Sequence, residues 1–310
     1  MTKIIDIDGK VFADEASISV FNGGYYFGLG IYETILIHEA VPIFYDEHIN
    51  RMQKALSFLD FNVNELFFKT LELRVKTLLK HAQIDLSLAR LRIIVSPSQI
   101  SFPEIEMDKF TSVLILSSSK FSLKNNYSLY ITKILKNSVN QIPPYVKLTA
   151  NHRNLMATQI ARKNGADEAL VFNDKAFLCE ASYANIFLVK QGKVFTPGLE
   201  NNLLDGVTRN KIFRIIRKMN VTLEEKKITV EELKTFDCAF ITSSTRGVKS
   251  IKKITISKEF CEIFNIDDKE LIVEYNKQFQ SNNLLEELNK QYRFDIENER
   301  NMKKEFWLNV

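Results

Sequence analysis

The stretch Pro143–Ile186 places the strongest constraint on how this chain can fold. Lys147 leaves a segment that two prolines stiffen, and a helical pattern begins within a few residues and ends at the stop signal Asn164-Gly165. Two β-like runs follow, Glu168–Phe172 and a second that ends at Glu180, with a polar turn between them. The pattern predicts an α/β chain in which a lysine precedes a helix and a carboxylate ends a strand. A lysine in this place can also be a solvated charge.

Length and composition argue against several classes of protein. With 310 residues, of which 45% are hydrophobic and 26% charged, the chain can bury a large core, and two domains are expected. The net charge of +4 is spread along the sequence, which is not typical of nucleic-acid binding. A basic-then-apolar start and a long apolar run are both missing, so we expect a cytoplasmic protein with no membrane partner. The three cysteines have neither metal-ligand nor disulfide spacing, which predicts reduced thiols and no metal.

The first part of the chain has the pattern of a small α/β domain. Residues Ile5–Phe12 alternate around Asp8-Gly9, which is a strong hairpin signal. The glycine-rich stretch FNGGYYFGLGIYETILI leads into a strand at Ile31–Ile37, and the spacing of its glycines does not fit the dinucleotide-binding fingerprint. Amphipathic helices are predicted over residues 45–59 and 64–81. Further strand-like runs follow.

A polar connector that two prolines stiffen, Asn137–Pro144, predicts a domain boundary. We place an N-terminal domain at residues 1–135 and a C-terminal domain at residues 136–310. The second domain alternates strands and helices, with a helix expected at 207–219. The last fifty residues are helical in pattern and rich in charge, and they suggest no chemistry.

Four features of the C-terminal domain indicate one kind of site. The amine of Lys147 is suited to Schiff-base chemistry if a cleft desolvates it. Glu180 ends a strand among small residues, where a carboxylate can pair with a protonated ring nitrogen. The turn Leu204–Arg209 opens a helix, and the N–H groups there can bind phosphate. Ser244-Thr245 lies on a second turn at a strand end that can do the same. An amine, an anion and two phosphate-binding turns fit pyridoxal 5'-phosphate (PLP) better than any other cofactor.

The sequence resembles the class IV, fold-type IV PLP enzymes, which include branched-chain aminotransferases, D-amino-acid aminotransferases and 4-amino-4-deoxychorismate lyases. The resemblance extends from about residue 4 to about residue 255, with the motifs in the family's order. These motifs are YFGLGIYET, DEHINRM, K-x-x-x-N, GADEALVFN, CEASYANIFLV, VFTP, LLDGVTR and FITSST. The resemblance implies an α/β fold with α+β character, in which a small N-terminal domain precedes a larger C-terminal domain with a mixed sheet or barrel.

The resemblance also implies a role for particular residues. Lys147 is then the catalytic lysine that joins the cofactor, and Glu180 pairs with the pyridine nitrogen. Tyr32 lies on the substrate side of the ring. The phosphate is surrounded by residues from three places in the sequence, namely Arg51, Val207, Thr208, Ser244 and Thr245.

Three departures from the family pattern affect the choice of substrate. The loop at residues 96–101 lacks the arginine and histidine with which D-amino-acid aminotransferases hold the substrate carboxylate. His152 stands where many branched-chain enzymes have a tyrosine, and it can also be a core or capping residue. Arg246 follows Ser244-Thr245, where the family mostly has small residues. We expect Arg246 to hold a substrate carboxylate in place of the missing pair. The alternative is an arginine that points to solvent.

These observations predict an aminotransferase that moves an amino group between an amino acid and a 2-keto acid, nearest the branched-chain type. The K-x-x-x-N spacing and the loop at 96–101 favour this activity. The lyase is the alternative, and a D-amino-acid aminotransferase or a non-catalytic member of the family is less favoured. Because the family usually forms homodimers, we expect a homodimer that acts on small amino and keto acids.

Overall fold

A computed structural model of the chain describes residues 3–101, 104–105, 107–118, 124–138, 141–267, 272–275 and 283–308. The chain divides into two compact units. Unit 1 contains Met1–Phe121, Tyr145–Ala150 and Phe294–Val310, and unit 2 contains Ser122–Pro144 and Asn151–Arg293. Each unit combines helices with a β-sheet, in agreement with the predicted α/β class.

An antiparallel sheet is the centre of unit 1. The described strands of this unit are β1 (Lys3–Ile7), β2 (Lys10–Ala13), β3 (Ile31–His38), β4 (Val41–Pro42), β5 (Leu88–Pro97), β6 (Ile100–Ser101), β7 (Glu104–Ile105) and β8 (Phe110–Ser118). Six of them form a sheet in the order β2-β1-β8-β5-β3-β4, and β6 pairs with β7. The predicted hairpin is confirmed, because Ile7 pairs with Lys10 across Asp8 and Gly9, which both have positive φ.

Three helices of unit 1 lie between these strands: α1 (Gly23–Tyr26), α2 (Tyr45–Phe58) and α3 (Glu65–Lys80). The side chain of Asn64 caps α3 by accepting a hydrogen bond of 3.0 Å from the N–H of Phe67. Each long helix buries an apolar stripe at helical spacing, formed by Met52, Ala55, Leu56, Leu71, Val75 and Leu79. The two predicted helices are therefore confirmed to within one residue, whereas part of the expected glycine-rich turn forms the short α1.

The segment Tyr145–Ala150 belongs to unit 1 because it binds to the backbone at the start of β3. The N–H of Tyr32 donates to the carbonyl of Lys147 at 3.0 Å, and the N–H of Thr149 donates to the carbonyl of Gly30 at 2.8 Å. A Cβ on Gly28, whose φ is +67°, would lie 2.9 Å from the Cβ of Ala150. The glycine therefore permits both a left-handed turn and a close approach of two backbones.

This division differs from the boundary predicted between residues 135 and 136. Unit 2 begins before the connector, since β9 (Asn126–Ile131) pairs with strands of unit 2. The chain then returns to unit 1 for six residues at Tyr145–Ala150. Its last residues join unit 1 as well. These exchanges depend on contacts between residues far apart in the chain, which local sequence patterns do not show.

Unit 2 is built on a nine-stranded mixed sheet. After β9, its strands are β10 (Glu168–Phe172), β11 (Leu178–Ala181), β12 (Asn185–Lys190), β13 (Lys193–Thr196), β14 (Leu223–Glu225), β15 (Cys238–Ser243), β16 (Gly247–Ile256) and β17 (Ile272–Glu274). Their order is β11-β10-β9-β16-β15-β12-β13-β14, and β17 pairs with β16. The pairs β9·β10, β9·β16 and β13·β14 are parallel, and the other pairs are antiparallel.

The helices of unit 2 cover both faces of this sheet. They are α4 (His152–Lys163), α5 (Val207–Lys218), α6 (Lys258–Phe264) and the first part of α7 (Asn283–Leu308), with 3₁₀ turns at Leu199–Asn201 and Glu231–Thr235. On the face next to α5, the ring of Phe187 stacks on Phe240 at 4.9 Å and meets Phe213 edge-on at 6.0 Å. The other face buries a hydrophobic cluster that includes Ile241 and the α6 residue Phe260. The three cysteines are buried, and none of them forms a disulfide with another described residue.

The last part of α7 packs within unit 1. Trp307 is buried and meets the ring of Tyr45 edge-on at 4.7 Å. The ammonium of Lys76 lies 3.5 Å from the centroid of the Phe306 ring. Ion pairs join Arg300 to Glu39 and Lys303 to Asp46, at 2.8 and 3.2 Å. The C-terminal residues, which suggested no chemistry, thus complete the core of unit 1. Among the described helices, none combines the length and apolar composition needed to cross a membrane.

If Trp307 anchors α7, the substitution Trp307→Ala should lower the free energy of unfolding by about 3–5 kcal/mol, because it leaves a cavity against Tyr45. Far-UV circular dichroism in increasing urea measures this change. Met302→Ala is the matched control, since Met302 is 71% exposed on the same helix and its truncation should leave stability nearly unchanged. An unchanged urea midpoint for Trp307→Ala would show that α7 is only loosely attached.

Candidate active site

Unit 1 holds Lys147 close to Tyr32. The hydrogen bond between their backbones fixes the start of the lysine side chain, and its ammonium lies 5.0 Å from the centroid of the Tyr32 ring. Lys147 is only half-buried. The amine is therefore held over an aromatic face by its own unit, in the manner of a cation–π contact.

Arg51 takes part in a buried ion pair. Its Nε and Nη2 donate to the two carboxylate oxygens of Glu33, at 2.8 and 2.7 Å. Nδ1 of His48 lies 2.7 Å from the Oε2 atom of the same carboxylate. Arg51 is 8% exposed, and Glu33 and His48 are 1% exposed. Arg51 is therefore not a solvated helix charge, and the bidentate pair fixes the plane of its guanidinium.

The electrostatics of this cluster follow from burial and charge. Burial alone would raise the pKa of Glu33, but the charge of Arg51 and the hydrogen bonds from Arg51 and His48 hold that pKa well below its usual range. Burial lowers the pKa of His48 against the opposing attraction of Glu33. The imidazole is then neutral at pH 7 and donates its Nδ1–H to the carboxylate. Glu33 remains an anion whose charge Arg51 balances.

Sequence reasoning missed Glu33 and His48, although both lie in the motifs YFGLGIYET and DEHINRM. Two signals were available. Glu33 shares its strand face with the buried Ile31 and Ile35, where a carboxylate requires a partner. His48 precedes Arg51 by three residues, which places both on one face of α2.

In unit 2, Glu180 lies near the end of β11 and is bound by three donors. Its Oε1 accepts from the ammonium of Lys136 at 2.5 Å. Its Oε2 accepts from the side-chain amide of Asn185 at 3.2 Å and from the N–H of Leu204 at 3.1 Å. Glu180 is only 6% exposed, and these donors offset the free-energy cost of burying its charge. Lys136 and Asn185 were not recognised in the sequence; Lys136 lies directly before the predicted connector, and Asn185 stands in the motif CEASYANIFLV.

Asn185 also connects Glu180 with the start of α5. Its amide donates to the carbonyl of Leu204 at 2.8 Å. A Cβ on Gly206 would lie 2.1 Å from the Oδ1 of Asn185, so a larger residue at this N-cap would displace the Asn185 side chain that binds Glu180. A glycine N-cap has no side chain with which to bind the first N–H groups of α5, where Val207 and Thr208 are buried. This helix end can therefore donate to an anion.

Ser244 and Thr245 form the turn between β15 and β16. The turn is closed by the pairing of Ser243 with Gly247, whose φ is +65°. Ser244 and Thr245 are half-buried. The hydroxyl of Thr242, just before this turn, is buried without a hydrogen-bond partner among the described residues. Buried polar atoms normally have a hydrogen-bond partner, so a polar ligand bound at this end of the sheet would explain the unpaired hydroxyl.

Arg246 binds other groups of unit 2. Its Nε donates to the hydroxyl of Ser243 at 3.1 Å, and its Nη2 donates to the carbonyl of Tyr183 at 2.9 Å. Its Nη1 forms an ion pair with Glu168, which is 2% exposed. Arg246 therefore fastens the turn to β10, and it does not point freely to solvent. His152 is the first residue of α4 and is exposed, so it is not a core histidine.

Each unit, taken by itself, contains groups of the kinds that bind PLP. Unit 1 supplies an amine and a buried guanidinium, Lys147 and Arg51. Unit 2 supplies a carboxylate that three donors hold, a helix end with a glycine N-cap, and a turn with two hydroxyls. In the part of the chain that the structure describes, no group of histidine, cysteine and acidic side chains is suited to bind a metal ion.

Comparison with known proteins identifies the family. Residues 30–254 match the family described as amino-transferase class IV. A probable branched-chain-amino-acid aminotransferase from Aquifex aeolicus is 27% identical over 262 residues, which cover 80% of this chain and 83% of that protein. An aminodeoxychorismate lyase from Bacillus subtilis is 28% identical over 258 residues, 81% of this chain and 86% of that protein.

A solved structure shares the fold. The branched-chain amino acid aminotransferase from T.th. with pyridoxamine 5'-phosphate superposes with a TM-score of 0.78 at 17% identity, covering 99% of this chain and 98% of that chain. The predicted two-domain fold-type IV architecture is thereby confirmed. The predicted family resemblance is confirmed as well, because the match of residues 30–254 covers most of the sequence. The chain is an enzyme of the class IV amino-transferase family.

Proposed function

We propose that this enzyme is a PLP-dependent aminotransferase of the branched-chain type, which moves an amino group between an amino acid and a 2-keto acid. The observation that carries the proposal is the Lys147 amine, held over the Tyr32 ring in a chain of this family. Similarity to a probable branched-chain aminotransferase supports the substrate class. The relative with bound pyridoxamine 5'-phosphate supports the cofactor.

When bound, PLP supplies a ring that withdraws electrons from the substrate carbon. Lys147 would join the cofactor through its amine and, once an amino substrate displaces it, would move a proton as an acid and base. Its backbone hydrogen bond to Tyr32 fixes the point from which the lysine side chain extends. Tyr32 would border the substrate.

Glu180 would accept a hydrogen bond from the pyridine nitrogen and keep that nitrogen protonated. A carboxylate has about four acceptor positions on its two oxygens. Lys136, Asn185 and Leu204 occupy three of them, so one position remains for the ring. The same donors orient the carboxylate toward that partner.

The phosphate would bind to Arg51 and to two backbone turns. The ion pair with Glu33 uses Nε and Nη2 of Arg51 and orients the guanidinium. The N–H groups at Val207 and Thr208 would donate from the start of α5, and Ser244 and Thr245 would donate from the turn between β15 and β16. Arg246 and His152 remain candidates for substrate contacts, although Arg246 would have to exchange its bond to Glu168 for a substrate carboxylate.

We further propose a homodimer in the cytoplasm and keep the boundary between residues 135 and 136 as the expected limit of two domains. Apolar side chains that are exposed in unit 1 support a partner surface, since a lone chain rarely exposes so many within one short stretch. These are Val11, Phe12, Ile18, Val20, Phe21, Tyr25, Tyr26 and Phe27.

Lyase activity on aminodeoxychorismate is the second candidate. The Bacillus subtilis lyase is as similar to the chain as the Aquifex aeolicus aminotransferase, at 28% against 27% identity. Both reactions use the same lysine and the same electron-withdrawing ring, so the residues around the cofactor do not decide between them. A direct assay does.

Purified protein supplied with PLP should convert L-leucine, L-isoleucine and L-valine to keto acids in the presence of a 2-keto acid acceptor. The D-enantiomers and aminodeoxychorismate should react far more slowly. Keto-acid formation and 4-aminobenzoate release are measured in parallel under the same conditions. Faster 4-aminobenzoate release would establish lyase activity, and a preference for D-enantiomers would establish a D-amino-acid aminotransferase. The absence of any reaction would indicate a non-catalytic member of the family.

Glu180→Gln should retain bound PLP and lose more than a hundredfold in rate, about 3 kcal/mol in the barrier, because an amide does not keep the pyridine nitrogen protonated. PLP binding and turnover are measured on the same preparation. Glu224→Gln is the matched control, since Glu224 is an exposed strand carboxylate of unit 2 and its loss should change neither quantity. Near-normal turnover of Glu180→Gln would refute the assigned role.

A further inference from the structure

The first turns of α7 bury three side chains in unit 2. Leu285, Leu288 and Tyr292 are 9%, 0% and 2% exposed, and their spacing places them on one face of the helix. All three lie beyond residues 30–254, which match the family. The mechanism proposed above uses no residue of α7, so a buried tyrosine there requires its own explanation.

Tyr292 contacts both turns that are proposed to bind phosphate. Its hydroxyl oxygen lies 3.5 Å from the Oγ1 of Thr208, the second residue of α5. Its ring also lies beside Gly247, where an added Cβ would be 3.3 Å from Cε1 and 3.6 Å from Cδ1 of Tyr292. Gly247 closes the turn that carries Ser244 and Thr245. One rigid side chain therefore touches the start of α5 and the end of the β15–β16 turn.

We infer that Tyr292 is a positioning residue for the cofactor phosphate, a role that rests on the proposed function. Hydrogen bonds to a phosphate form only within a narrow range of distances, so the two turns must keep a fixed separation. The phenol ring has few rotatable bonds and is enclosed, so it maintains that separation better than a flexible side chain. The hydroxyl distance of 3.5 Å is at the outer limit of a hydrogen bond, so the ring contributes more than the hydroxyl.

The test compares PLP with pyridoxal, which lacks the phosphate. In Tyr292→Leu, the affinity for PLP should fall about tenfold, corresponding to the loss of one charge-assisted hydrogen bond to phosphate. The affinity for pyridoxal should stay within about twofold, since the amine and Glu180 are unchanged. Dissociation constants for both compounds are measured by absorbance titration of the protein freed of cofactor. A purely structural role would weaken both compounds equally.

Tyr275→Leu is the matched control. Tyr275 is also a buried tyrosine of unit 2, and its hydroxyl donates to the carbonyl of Leu233 at 3.0 Å, in the hydrophobic core of the unit. This variant should lose stability but keep the wild-type ratio of PLP to pyridoxal affinity. If Tyr292→Leu does not fold, Tyr292→Phe is titrated instead, and its ratio should fall about threefold because the ring remains and the hydroxyl is lost.

Two failures are distinguishable. If the wild-type protein does not bind PLP, or binds PLP no better than pyridoxal, the proposed function fails and this inference fails with it. If the wild type prefers PLP and the Tyr292 variant keeps the same ratio, only the positioning role of Tyr292 is overturned.

Discussion

The pairing of the lysine segment with the start of β3 is the contact on which the candidate site depends in unit 1. Two backbone hydrogen bonds, from Tyr32 to Lys147 and from Thr149 to Gly30, hold the segment in place. Gly28 permits this approach because any side chain there would collide with Ala150. The glycine-rich motif is thus explained by close packing of two backbones, and it needs no nucleotide. The same contact explains why six residues in the middle of the chain belong to the first unit.

Each unit also buries a carboxylate of the candidate site with fixed partners. Glu33 is held by Arg51 and His48, and Glu180 is held by Lys136, Asn185 and the N–H of Leu204. Removing a charge from water costs several kcal/mol, so such pairs are weak evidence for stability. Their arrangement is better explained by function. Glu33 orients a guanidinium, and we propose that Glu180 is held in place for a cationic ring nitrogen.

Local sequence patterns correctly predicted a hairpin and several helices, because turn chemistry and helical spacing largely determine such elements. The hairpin at Asp8-Gly9 and the helices α2, α3 and α5 appear where turn chemistry and helical spacing placed them. Contacts between distant residues were not predictable in this way. Glu168, which pairs with Arg246, and Lys136, which pairs with Glu180, lie 78 and 44 residues away along the chain. The role of α7 was missed for the same reason, because Trp307 packs against Tyr45 and Tyr292 lies beside Thr208, both far from α7 in the sequence.

The measurement that tests the account most directly is the site of attachment of PLP. The protein is incubated with PLP, reduced with borohydride, digested and analysed by mass spectrometry, with Lys147→Ala treated in parallel. We predict visible absorbance before reduction and a single labelled peptide, the one that contains Lys147. The Lys147→Ala variant should be labelled far less than the wild type. A label on another lysine, or equal labelling of Lys147→Ala, would contradict the central claim.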